Sequence, residues 1–307
     1  MNSNLPTVYS SITGSSIIIA GGYTGRKKLT SVEMISDGTT ENFQECEDLP
    51  KQGMCSLILH KNKILSIRYD SKICQEMVDG NWKRHSTLVE YRGPFPTSAV
   101  RTNYGTFIFG GDNSKYTYEF LLHGSSQWQI GQTKIPDGFT NGFTIALKSK
   151  PEIWLIGGYN TRRRILSFNL QTHSFTVSPT KLLVGRTRFQ CSSIPNTNKV
   201  IVTGGYDLSS TEILDTVDGT VTMASPMRGR RSDHGIGIVT VNGVDKVAVF
   251  GGYGGIAGSR RSREGYLKTV EIYNPESEEW EDSKFELKEG KAKFGFVSVN
   301  NKLIMPN

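Results

Sequence analysis

Histidine and cysteine are the residue types here most able to carry catalysis or hold a metal, and both are sparse. The histidines are His60, His85, His123, His173 and His234, and no two fall within ten residues. A metal site built from one segment needs ligands at short fixed spacing, as in HExxH, and no such spacing occurs. Cys46, Cys55, Cys74 and Cys191 form no CxxC pair and are too few for a disulfide scaffold, so they read as buried free thiols. There is no GxSxG elbow, P-loop or dinucleotide fingerprint. GGYGGIAG at 251–258 is glycine-rich, but no helical pattern follows it, so it reads as a loop and not a phosphate cradle. No metal and no cofactor is expected. His234 is the best single candidate, because it follows Arg230 and Arg231 where an apolar strand begins. A plain hydrogen-bonded histidine at a strand end is the competing reading.

The basic residues offer a different chemistry. Arg26, Lys27 and Lys28 form one cluster, Arg162, Arg163 and Arg164 a second, and Arg260, Arg261 and Arg263 a third. Arg92, Arg186, Arg188, Arg228, Arg230 and Arg231 precede apolar runs. An arginine fork grips a carboxylate or phosphate through paired hydrogen bonds. Net charge is +7, which favours acidic or phosphorylated partners. Solubility alone is the other reading of that charge.

The elements that must position these residues come from a repeat. A short apolar run ends in a glycine pair at Gly21–Gly22, Gly110–Gly111, Gly157–Gly158, Gly204–Gly205 and Gly251–Gly252. The last four pairs stand 47 residues apart, and 89 residues separate the first two, so a degenerate copy is expected midway. KILSIRYD at 63–70 fits, with Tyr69 in the place of Tyr23, Tyr159, Tyr206 and Tyr253. A late apolar anchor closes each repeat: Phe43, Trp82, Trp128, Phe175, Val221 and Trp280. Alternating β-branched runs and the Asn-Gly turn at 242–243 give four strands per repeat. No segment has sustained helical periodicity. The glycines let the chain leave a strand without a Cβ clash, and the anchors pack between repeats. These residues are structural.

The five glycine pairs, the tyrosines after four of them and the Tyr/Phe-to-Trp/Phe spacing resemble the kelch family over about residues 6–305. That resemblance implies an all-β, six-bladed propeller of four-stranded kelch blades around a channel, one domain spanning 1–307. Closing the ring requires a C-terminal strand in the first blade, and 294–299 is the expected piece. The three basic clusters then lie in loops between second and third strands. Those loops open on the same face as the segments leading into each blade. A positive rim around the channel mouth follows.

Kelch propellers of this repeat number are similar to the substrate-binding halves of adaptors for cullin ubiquitin ligases, which grip acidic or phosphorylated segments on this face. By that resemblance Arg188 stands where such arginines lie, and Arg231 and His234 match an Arg-x-x-His pair. The partner-binding set is therefore Arg26, Lys27, Lys28, Tyr69, Arg162, Arg163, Arg164, Arg188, Arg231, His234, Arg260, Arg261 and Arg263. Such adaptors carry BTB and BACK domains ahead of the propeller. Here about six residues precede the first strand, so a free-standing propeller or one domain of a longer protein is expected. An actin-binding kelch protein and a carbohydrate-active kelch enzyme are the alternatives. Of the latter, galactose oxidase would need a copper set that these histidines do not supply. An enzyme is not expected, nor is nucleic-acid binding. No signal peptide or membrane-length apolar run occurs, so a cytoplasmic protein is expected.

Overall fold

The computed structural model describes residues 14–36, 39–42, 54–68, 71–93, 98–256 and 265–300. Within them every regular element is a strand, and no helix is long and apolar enough to cross a membrane. The expected N-terminal strand at 7–13, Phe43, Cys46, Tyr69, Arg260, Arg261 and Arg263 lie outside the described residues.

Six four-stranded antiparallel sheets are present among the described residues. The first joins the two ends of the described chain: Gly295–Asn300 pairs with Ser15–Ala20, placing Ser298 opposite Ile17, and Val32–Ser36 and Thr39–Asn42 follow. This is the C-terminal strand that ring closure called for, offset by one residue. The second sheet comprises Cys55–His60, Lys63–Arg68, Ile73–Val78 and Asn81–Thr87, confirming that the degenerate repeat folds as the others do. The third runs Ser98–Arg101, Gly105–Phe109, Tyr118–Leu122 and Gln129–Ile130; the fourth Phe143–Ala146, Glu152–Ile156, Arg164–Asn169 and Phe175–Lys181. The fifth holds Gln190–Ser193, Lys199–Thr203, Thr211–Asp215 and Val221–Ala224; the sixth Gly235–Val241, Val244–Phe250, Thr269–Asn274 and Glu279–Glu286. Gly229–Ser232, Tyr253–Ile256 and Gly265–Tyr266 add a three-stranded sheet that sequence pattern does not announce. The fold is all-β, of four-stranded antiparallel sheets, and consistent with a β-propeller.

Neighbouring sheets bury their faces against each other. In the second-position strand Ser15–Ala20, Ile17 and Ile19 join a core with Phe250 and Val270 of the sixth sheet, while Ile18 and Ala20 join one with Leu57 and Leu59 of the second. Side chains alternate across a strand, so a continuous apolar run serves both neighbours. The late anchors fill the seams as expected: Trp82 between the first and second sheets, Trp128 between the second and third, Phe175 between the third and fourth, and Trp280 between the fifth and sixth. First strands touch in sequence, from Gly295–Asn300 to Cys55–His60, Ser98–Arg101, Phe143–Ala146, Gln190–Ser193 and Gly235–Val241, and back to Gly295–Asn300.

The glycine pairs stitch these seams. Gly110 has φ 65°, and a Cβ there would sit 1.8 Å from the Phe139 carbonyl oxygen. No L side chain fits so close a backbone approach. The second glycine then donates its N–H to the segment leading into the next sheet: Gly111 to Phe139, Gly158 to Arg186, Gly205 to Arg231 and Gly252 to Lys291, at 2.8–3.1 Å.

Candidate functional site

The loops after the glycine pairs and the lead-in segments meet at one end of the molecule. Tyr159 N–H donates to Thr140 O, Arg186 N–H to Arg162 O and Tyr206 N–H to Thr187 O, each at 2.9–3.0 Å. Tyr23 and Ala292 exchange a pair of such bonds at 2.9 and 3.0 Å. The two kinds of loop therefore share a face, as the repeat requires.

Three of the lead-in arginines do not ring it, whereas Arg228 is exposed and Arg188 and Arg230 are half-buried. Arg92, Arg186 and Arg231 are 3%, 0% and 2% exposed, which corrects the expectation that they form a positive rim. Arg186 Nη1 donates to Gly204 O at 2.6 Å and Ser210 O at 2.8 Å, and its Nε donates to Glu212 at 2.9 Å. Arg231 repeats the pattern on Gly251 O, Thr269 O and Glu271, and Arg92 on Gly110 O, Thr117 O and Glu119. In the first sheet Lys291 pairs with Glu33 at the same place. Each glutamate also caps backbone, as Glu212 does by accepting the Leu183 and Val184 N–H groups. The fourth sheet puts Phe139 and Leu166 at the equivalent positions, packed in one apolar core. These groups hold strand to loop and are unavailable to a partner.

His234 is withdrawn as well. It is 1% exposed, its Nε2 lies 2.9 Å from Thr203 Oγ1, and its Nδ1 finds no partner among the described residues. Burial, helped by Arg231 and Arg186, pulls its pKa down to about 3, so it stays neutral.

What the face does expose is tyrosine and the second-to-third-strand clusters. Tyr159 and Tyr206 are 65% and 69% exposed, and Tyr253 is exposed beside Tyr266, which in turn meets Tyr23 edge-on at 5.6 Å. Arg26, Lys27, Lys28, Arg162 and Arg163 are exposed, and Arg164 is half-buried. Charge on this face is not of one sign. Arg164 pairs with Asp137, Arg230 with Asp207, and Lys27 with Glu289.

Nearer the axis, one residue from each of four successive lead-ins adopts the left-handed conformation: Asn141 (φ 54°), Arg188 (56°), Asp233 (51°) and Lys293 (57°). Non-glycine residues rarely do so, and the cost is of order 1 kcal/mol each. The four are linked in a chain of backbone bonds, Arg188 N–H to Asn141 O, Asp233 N–H to Arg188 O and Lys293 N–H to Asp233 O, at 2.9–3.0 Å. Two of the four, Asp233 and Lys293, line a cavity of about 120 Å³ together with Ser98, Phe143, Gln190 and Phe296 among others. Arg188 Nη1 lies 3.8 Å from Asp233 Oδ2. Burial pushes the Asp233 carboxyl above the usual range, and Arg188 and Lys293 offset this in part. Asp112 is likewise raised by burial and partly offset by Arg188.

Away from this face the fold gathers three histidines that the sequence keeps apart. His60 lies 5.3 Å from His123 and 6.2 Å from His85, ring centre to ring centre, between the second and third sheets. His60 is buried and bonded through Nδ1 to Thr106, and burial with its two histidine neighbours lowers its pKa to about 4. Among the described residues no group of three or more His, Cys, Asp or Glu is placed to hold a metal. Cys74 and Cys191 are free and buried, as expected, and Cys55 is buried as well.

Comparison with known proteins agrees with this architecture. A family model described as "Kelch motif" matches residues 245–283. A solved structure described as "Structure of YjhT" superposes with a TM-score of 0.64 at 14% identity, covering 80% of this chain and 87% of that one. No curated protein matches the chain. The chain thus carries a kelch motif on an all-β fold consistent with a β-propeller.

Proposed function

We propose that this protein is a six-bladed kelch-type propeller that binds another protein through the loop face, gripping an acidic or phosphorylated segment. The observation carrying this reading is the pair Tyr159 and Tyr206, 65% and 69% exposed at the same place in consecutive repeats, with exposed Arg162 and Arg163 alongside. Leaving large amphipathic rings in water has little use in a scaffold. Tyrosine and arginine are enriched in binding hot spots because they give broad contact at low ordering cost. The wet arginines can desolvate against a carboxylate or phosphate. Binding rather than catalysis suits a face whose buried ionisable groups are engaged in holding strands. The six first strands that contact in a cycle support the ring. The resemblance to ubiquitin-ligase adaptors would make this chain the substrate-gripping part of such an assembly.

The test is affinity capture from native lysate with wild type, with Tyr206→Ser/Arg162→Ala/Arg163→Ala, and with Lys148→Ala/Lys150→Ala as a control elsewhere on the fourth sheet. Partners recovered by wild type and control but lost with the triple variant support the reading. Recovery of the same proteins by all three refutes it.

A further inference from the structure

The channel mouth contains an arrangement that a simple anion-binding face does not need. Of the four left-handed lead-in residues, three alternate in charge: Arg188, Asp233, Lys293. The carboxylate in the middle opposes the anion that Arg188 and Lys293 would attract. It is also the most buried of the three, 7% exposed, and it lines the cavity together with Lys293. The register of the backbone chain holds Asp233 between its neighbours, because its N–H and C=O are both engaged, at 2.9 and 3.0 Å.

We infer that an anionic group of the partner segment, seated at this mouth against Arg188 and Lys293, binds together with one proton, taken up from solvent by Asp233. The inference rests on the protein-binding reading above and specifies its regulation. The incoming carboxylate or phosphate takes over cations that compensate the Asp233 charge and places a like charge beside it. Both effects favour the neutral acid. Burial already disfavours the Asp233 carboxylate in the free protein. The sign follows: the bound state holds more protons than the free state in the window between the two Asp233 pKa values. Affinity therefore rises as pH falls through that window, by up to about tenfold per pH unit for one proton.

Among the described residues the groups facing Asp233 are few. Arg188 approaches from the lead-in of the fifth sheet and Lys293 from that of the first. Tyr266 feels its charge from the loop of the sixth sheet, with a hydroxyl pKa raised by burial, so it remains neutral throughout. His234, next in the chain, stays neutral down to about pH 3. Arg231, two residues before, is spent on Glu271. Asp112 shares Arg188 and is, among the described residues, the other carboxyl placed to take up the proton.

The experiment uses a fluorescent peptide bearing three cysteic acid residues, whose sulfonates keep their charge across the range. Its affinity is measured from pH 5 to 8, and proton uptake is read by calorimetry in two buffers of different ionisation enthalpy. Wild type, Asp233→Asn, Asp112→Asn and Arg188→Ala are compared, each checked for native circular dichroism. Wild type should bind more tightly at lower pH with measurable uptake. Asp233→Asn should bind more tightly than wild type at pH 7.5, with no uptake and a flat profile, and Asp112→Asn should behave as wild type. If the peptide binds through Arg188 without uptake, or if Asp233→Asn keeps the wild-type slope, the proton linkage is wrong while the binding reading stands. If the peptide does not bind, or binds Arg188→Ala equally well, the anion-binding reading of the mouth fails and the linkage falls with it. If Asp233→Asn does not fold, calorimetry on wild type and Asp112→Asn decides the matter: equal uptake by both supports Asp233, and uptake lost with Asp112→Asn overturns it.

Discussion

Replacing Arg186 by alanine would expose how this scaffold uses its buried charge. Arg186 and Glu212 are both fully buried, with Nη2 to Oε1 at 2.8 Å. Removing the guanidinium leaves Glu212 as a lone buried carboxylate and strips donors from Gly204 O and Ser210 O. An uncompensated buried partner of an ion pair costs about 3–5 kcal/mol. The fourth sheet supplies the control, because Phe139 and Leu166 occupy the same two positions as an apolar pair. Arg186→Phe with Glu212→Leu should therefore recover at least about 2 kcal/mol of the loss. It should remain below wild type, since the Leu183 and Val184 N–H groups lose their acceptor at roughly 1 kcal/mol each. Urea unfolding followed by tryptophan fluorescence gives both numbers, provided the slope with denaturant stays constant. The reasoning fails if Arg186→Ala costs less than about 1 kcal/mol, or if the double variant costs the sum of the two singles.

Other outcomes follow from the same packing. Trp280→Ala opens the seam between the fifth and sixth sheets and drops the Thr211 hydrogen bond at 3.1 Å, so unfolding free energy should fall by about 3–5 kcal/mol in the same assay. His60, at about 4 in the folded state against 6.5 unfolded, lies below its unfolded value. The unfolded chain therefore binds the proton first, and stability contributed by neutral His60 should decline from pH 6.5 to about 4 and flatten below, while His60→Gln should show a shallower decline in pH-dependent thermal melts. Burial pushes the Cys74 thiol up to about 12 and Cys191 well above its ordinary value. Neither should react with a thiol-specific disulfide reagent at pH 8 until denaturant is added, and rapid native labelling of Cys74 or Cys191 on a mass map would contradict their placement. Deleting residues 291–307 removes Gly295–Asn300 and Lys291, the partner of Glu33; the melting temperature should fall, and an unchanged one would refute closure through this strand.

The seams were legible because they rest on short-range rules. A glycine pair recurring at 47 residues in the last four repeats that carry one marks strand exits, and an apolar anchor late in each repeat, aromatic in all but the fifth, marks where the next sheet covers the last. The same spacing located the degenerate second repeat, and closing the ring that the kelch resemblance implies asked for a C-terminal strand. The burial of Arg92, Arg186 and Arg231 departs from the sequence expectation, although a signal is present. Glu33, Glu119, Glu212 and Glu271 each interrupt an apolar third strand at one register, opposite the residue two before a glycine pair. An acid repeated inside buried strands demands a buried cation, and arginine at the next lead-in is the nearest source. Other features had no such trace. His60, His85 and His123 meet only because two sheets lie side by side, and the left-handed run through Arg188, Asp233 and Lys293 depends on loop geometry that residue type does not encode.

Separating the two populations of arginine changes what the net charge of +7 can mean for binding. Arg92, Arg186 and Arg231 are matched one to one by glutamates and add nothing to the field outside. Arg164, Arg230 and Lys27 share the loop face with Asp137, Asp207 and Glu289, which blunts long-range attraction and leaves short-range geometry to discriminate. A surface of this kind attracts polyanions weakly at a distance. On the proposed binding reading it would reward a partner whose acidic group reaches one place while its apolar neighbours cover Tyr159 and Tyr206. The mixed sign at the mouth sharpens that demand, because an anion gains Arg188 and Lys293 only by contending with Asp233. Selectivity on this face would then come from the cost of misplacing a charge as much as from the gain of placing it well.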